Sequence, residues 1–178
     1  YKQVKVIKDI SKDSISYHVA FNAYKDGQYY EAIQLFNNYI DLYAKGYYLE
    51  DALYFSGESA VLVKDYDIAL SSYEEIIREQ MQKYYLQAIE KAALISYNHK
   101  QDFNKSFDLY DLLISTDKDQ SINIYEAALY CAYKIQNEEG IVTYANYLAN
   151  NENASDETQG TSHYYLAKSM ERQKEWDK

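Results

Sequence analysis

Positive charge is what this sequence has least of: 18 lysines and arginines stand against 28 aspartates and glutamates, a formal net charge of -10. Nucleic-acid binding is driven by cationic side chains that displace counterions from phosphates, so nucleic acid is not expected as a partner. The same field opposes docking on an anionic bilayer surface, and no window holds the roughly 18 apolar residues needed to insert across one. Cysteine occurs once, at Cys131, in a helical apolar run. It forms no internal disulfide and reads as a small buried hydrophobe. Proline is missing altogether and tryptophan occurs once.

Chemical machinery is missing as well. His18, His99 and His163 are far apart, and none has a second histidine with a cysteine or carboxylate at metal-ligand helical spacing. The acidic pairs Glu74-Glu75 and Glu138-Glu139, and Asp108 with Asp111, have no apolar setting that would tune a carboxylate for acid-base work. They read as solvated helix faces. There is no Gly-rich phosphate loop, no Gly-x-Ser-x-Gly elbow and no Cys-His pair. The acidic residues Glu152, Asp156 and Glu157 lack the spacing of a calcium loop, and Asn153-Ala154-Ser155 is a glycosylation triplet of the kind chance produces. No catalysis, metal or cofactor is expected.

What is abundant is tyrosine, 23 residues against 5 phenylalanines. Its apolar body and polar tip suit a thin protein in which many side chains are only half covered. The segment Leu53 to Ile77 is the template for the rest: two helix-period stretches joined by a polar turn at Lys64 and Asp65, with Gly57 and Ala69 small where the helices touch. Similar hairpins recur along the chain. Residues 1–13 are a flanking segment whose pattern lies between strand and helix. The repeats follow at about 14–46, 47–83, 84–119 and 120–150, and a partial one spans 160–178. Asn150 to Gln159 reads as a loop between repeats, and Glu175-Trp176-Asp177 copies the Asp65-Tyr66-Asp67 turn. Starting without methionine and stopping within a repeat, the chain reads as a piece of a longer protein.

The second helices carry a small residue followed four places on by an aromatic one: Ala32 and Phe36, Ala69 and Tyr73, Ser106 and Tyr110, Gly140 and Tyr144. Successive small residues lie 37, 37 and 34 residues apart. On first helices Leu53 precedes Gly57, and His163 precedes Ala167, by four. This pattern resembles the tetratricopeptide repeat (TPR), whose unit is 34 residues. The likeness covers about residues 14–178. It departs from the family in having no proline at the repeat ends, Leu94 where a small residue is expected, and a polar Ser106. In Gly140's repeat, Ala128 is the small residue expected opposite it.

The resemblance implies an all-α, right-handed superhelical α-solenoid of about four and a half TPR-like hairpins, with a concave groove lined by first helices. Within the family the aromatic-rich type is similar to bacterial cell-envelope helpers, which implies a periplasmic or outer-membrane-associated setting rather than a cytoplasmic one. Aligning the repeats puts Tyr17, Tyr54, Lys91, Tyr125 and Tyr164 at one groove position, a ladder for an extended peptide or a partner helix. One turn further lie Phe21, Glu58, Ile95, Leu129 and Lys168. Only Lys91 fits the carboxylate clamp of chaperone-binding members, so no clamp is expected. The expected partner is another protein or a peptide. The competing reading is a regulatory or self-association arm of a larger bacterial enzyme or signalling protein.

Overall fold

Polar residues at three of the turns fix where the next helix begins. Asp65, Asp102 and Asn137 each accept a hydrogen bond from the backbone N–H three residues on, at Ile68 (3.2 Å), Lys105 (3.1 Å) and Gly140 (3.0 Å). Each side chain thereby fills one of the donors left open where a helix begins. A residue with positive φ precedes each of them: Lys64 (63°), Gln101 (51°) and Gln136 (58°), with Gly27 (77°) holding the same place in the first hairpin. A left-handed residue at this point folds the chain back on itself.

In three of these turns the following N–H reaches the carbonyl five residues back: Gln28 to Ala23 (2.9 Å), Asp65 to Ala60 (2.8 Å) and Asn137 to Ala132 (2.9 Å). The third hairpin differs. There Asp102 N–H reaches six residues back to Ser96 (2.9 Å), because the preceding helix ends in a single π turn, Ser96–Lys100. One additional residue is absorbed as a wider turn, and the repeat continues.

The computed structural model describes the backbone of residues 2–176 and the side chains of residues 12–174. Among these residues there are nine α-helices and no strand: α1 (Lys2–Lys25), α2 (Tyr29–Leu42), α3 (Leu49–Leu62), α4 (Tyr66–Arg78), α5 (Tyr85–Ile95), α6 (Phe103–Thr116), α7 (Ile122–Lys134), α8 (Glu138–Ala149) and α9 (Asp156–Trp176). The chain forms two compact units, residues 1–92 and 93–178, with the division inside α5.

In the first unit α1 packs on α2, α2 on α3 and α3 on α4, while α1 also meets α3. Tyr17, Ala20, Ala32, Phe36, Tyr39 and Ala52 form its buried centre. Neighbouring hairpins are fastened by acids of the first helices: Asp13, midway along α1, accepts from Tyr47 N–H (3.0 Å), and 37 residues on Glu50, in the first turn of α3, accepts from Tyr84 N–H (2.6 Å). A carboxylate at these N–H groups also faces the positive end of the next helix dipole. In the second unit α6 packs on α7, α7 on α8 and α8 on α9, with α7 meeting α9.

The small residues sit where helices approach closely. A Cβ on Gly57 would lie 2.7 Å from the Tyr73 ring, and one on Gly140 would lie 2.8 Å from Phe107 and 3.1 Å from the Ala132 Cβ. The small residue next to Gly140 is therefore Ala132, one turn on from the Ala128 that the sequence pairs with it. The four small-and-aromatic pairs of the second helices are all buried.

Two other local expectations change. Residues 2–13 continue α1 with no break and no strand. The loop expected over 150–159 ends earlier, because Ser155 accepts from Thr158 N–H (3.1 Å) and α9 starts at Asp156. Helix α9 continues through Trp176, and Asp177 of the expected terminal turn lies outside the described residues.

Candidate functional site

Helical spacing puts Tyr17, Phe21 and Tyr24 on one face of α1, and Asp51, Tyr54, Phe55 and Glu58 on one face of α3. The contact between α1 and α3 brings these faces together, and Tyr84, just before α5, joins them. The rings form a continuous surface. Phe21 lies 4.9 Å and Tyr24 5.1 Å from Phe55 between ring centroids; Tyr54 lies 5.5 Å from Phe55 and stacks on Tyr84 at 4.1 Å. Phe21, Tyr24, Tyr54, Phe55 and Tyr84 are all half-buried. Beneath them lies the buried centre of the first unit, which Phe21, Tyr24 and Phe55 cover.

Two charged clusters frame the rings. Glu58 accepts from the Tyr73 hydroxyl (2.5 Å) and pairs with Lys91 Nζ (3.0 Å). Asp51 accepts from Lys83 Nζ (2.5 Å) and from the Tyr84 hydroxyl (2.9 Å). Burial, followed by the charge of Glu58, raises the pKa of both Tyr24 and Tyr54. Burial and then the hydrogen bond to Asp51 raise that of Tyr84. Burial acts to lower the Lys91 pKa, but the hydrogen bond and charge of Glu58 outweigh it, and Lys91 is held cationic. The surface thus presents neutral rings with hydroxyl tips beside paired charges.

The structure treats the sequence-predicted positions unequally. Tyr54, Phe21, Glu58 and Lys91 meet on the face just described. Tyr17 is 5% exposed, stacked at 4.4 Å under Tyr48, and so belongs to the packing. In the second unit Tyr125 is 4% exposed, with its ring stacked at 3.9 Å on Tyr147 and its hydroxyl donated to the Lys118 carbonyl (2.8 Å). Burial pushes the Tyr125 pKa up to about 12. Leu129 and Ile95 are buried too, whereas Tyr164 is 53% exposed and Lys168 pairs with Glu171 (2.8 Å).

Sequence reasoning missed Tyr24, Asp51, Phe55 and Tyr84. Tyr24 was accessible from its spacing of seven from Tyr17. Tyr84 was not, because it lies in a turn whose place no glycine or proline marks.

Among the described residues no three His, Cys, Asp or Glu side chains gather as metal ligands, and no helix is long and apolar enough to cross a membrane. No family model and no curated protein matches the chain. Among solved structures it is similar to a putative kinesin light chain of Podosopora anserina with nearly identical TPR-like repeats: 12% identity, 93% of this chain and 89% of that chain covered, TM-score 0.51. A variant form of that protein matches with the same identity and TM-score over 88% of its length. The chain has a TPR-like repeat fold. That likeness concerns architecture; what the site can hold depends on its own side chains.

Proposed function

We propose that this chain is a protein-binding module, holding a peptide or helix of another protein against the face made by α1, α3 and the start of α5. The observation that carries the reading is the unbroken, half-exposed surface of Phe21, Tyr24, Tyr54, Phe55 and Tyr84. Rings of this kind supply a large contact area at small entropic cost, and their hydroxyl tips pair with backbone groups of a bound segment. The TPR-like architecture supports it, since stacked hairpins expose long helix faces suited to extended partners. The role assigned is binding, with no chemistry.

Selection of a displayed peptide library on the whole chain tests this. Peptides so obtained bind Tyr54→Ala at least about tenfold more weakly than the wild type, as expected of an aromatic anchor, and bind Tyr164→Ala unchanged. Circular dichroism checks that both variants stay folded. Peptides that bind Tyr54→Ala as tightly as the wild type place the binding face elsewhere.

A further inference from the structure

We infer that the segment bound on this face is basic, and that Lys91 is an internal placeholder which the ligand's own cation displaces; the inference rests on the binding face proposed above. Glu58 stands on α3 one turn from Tyr54. The buried Tyr73 hydroxyl donates to carboxylate oxygen Oε1, and the Lys91 ammonium bridges Oε1 (3.0 Å) and Oε2 (3.2 Å). The side chains of Glu58 and Lys91 are 20% and 38% exposed. A pair this accessible is screened by water, and the flexible lysine stem lets the ammonium swing into solvent at small cost. Tyr73 stays in place, so the carboxylate remains aimed at whatever cation arrives.

The chain's own lysines mark where cations settle on this surface. Lys25 Nζ lies 5.3 Å from the Phe21 ring centre, and Lys83 Nζ lies 5.0 Å from that of Tyr84 while pairing with Asp51. Ring faces attract ammonium and guanidinium groups, and a carboxylate alongside strengthens the site. The background field agrees in sign: residues 1–92 hold 10 lysines and arginines against 14 aspartates and glutamates. A segment with apolar anchors for Tyr54 and Phe55, and a lysine or arginine for Glu58, fits both features.

The test is fluorescence anisotropy on the whole chain with three labelled amphipathic peptides of one leucine pattern, whose polar positions are all lysine, all glutamine or all glutamate. The lysine peptide binds at least about tenfold tighter than the glutamate peptide. Glu58→Gln, which keeps an acceptor for Tyr73, weakens it about fivefold, and Lys91→Met tightens it about fivefold. The same charge changes on exposed residues outside this face, Glu157→Gln and Lys118→Met, move it less than about twofold. Equal effects at these control positions would show diffuse charge attraction and overturn the inference, as would Lys91→Met leaving affinity unchanged. If the glutamine or glutamate peptide binds as tightly as the lysine peptide and Tyr54→Ala abolishes it, the binding face stands and the basic ligand falls. If no binding responds to Tyr54→Ala, both fall.

Discussion

Tyr39, Tyr73 and Tyr144 each donate a hydroxyl proton to a carboxylate on another helix: Asp13, Glu58 and Asp111. Phenylalanine would bury the same ring and leave each carboxylate short of one donor, which gives tyrosine a physical reason to outnumber it at such positions. Tyr39 also accepts from Tyr48 N–H (3.0 Å), so one hydroxyl ties α1, α2 and the loop before α3. Tyr39→Phe should therefore cost roughly 1–3 kcal/mol, seen as a lower urea midpoint at unchanged slope. Alkali probes the same bonds. Burial, then the hydrogen bonds to these carboxylates, raises the pKa of all three tyrosines. The fold favours the neutral phenol, and in the unfolded chain tyrosine ionises near pH ~10. Stability from this source is present below about pH 10 and is lost as pH rises toward the folded-state values. Tyrosinate absorbance should accordingly show a fraction of tyrosines that ionise only as helical ellipticity disappears; free titration of all of them with the helices intact would contradict this.

At the scale of helices and turns, packing rests on small residues and on left-handed turn residues. Gly57→Ala drives a Cβ into the Tyr73 ring, an overpacking change that should cost about 1–3 kcal/mol. Gly160→Ala, with no atom within 4 Å of the added Cβ and a helical backbone, should stabilise by about 0.5–1 kcal/mol. Thermal unfolding of the two variants reads both signs. Lys64→Gly should also stabilise, by roughly 1 kcal/mol, because a lysine at φ 63° holds a conformation that glycine adopts freely. These features differ in how legible they are. The helix periods and the small-and-aromatic pairs show in the sequence because side-chain spacing records them directly. The polar turn at Lys64 and Asp65 is legible, but the left-handed geometry of Lys64, Gln101 and Gln136 is not, since three ordinary side chains stand where Gly27 announces the same conformation. The π turn at Ser96–Lys100 is hidden because it lies in the last residues of its helix, Ser-Tyr-Asn-His-Lys, where no apolar run follows to reveal a change of phase. Half of the candidate site was legible, as Phe21, Tyr54, Glu58 and Lys91. Tyr17 and Tyr125 are buried because Tyr48 and Tyr147 stack on them, and neither cover belongs to the small-and-aromatic pairs by which the repeats align.

For the molecule as a whole, the TPR-like fold supplies helix faces, and one of them in the first unit is lined by rings that the core leaves half exposed. The acidic composition and the ion pairs at Glu58 and Asp51 set the sign of what can approach that face. Amide hydrogen exchange of the whole chain, with and without a saturating library-selected peptide, locates the binding face. Slowed exchange is expected in α1, α3 and the first turns of α5, with α8 and α9 unchanged. Protection confined to the second unit, or spread evenly over the chain, would contradict that placement.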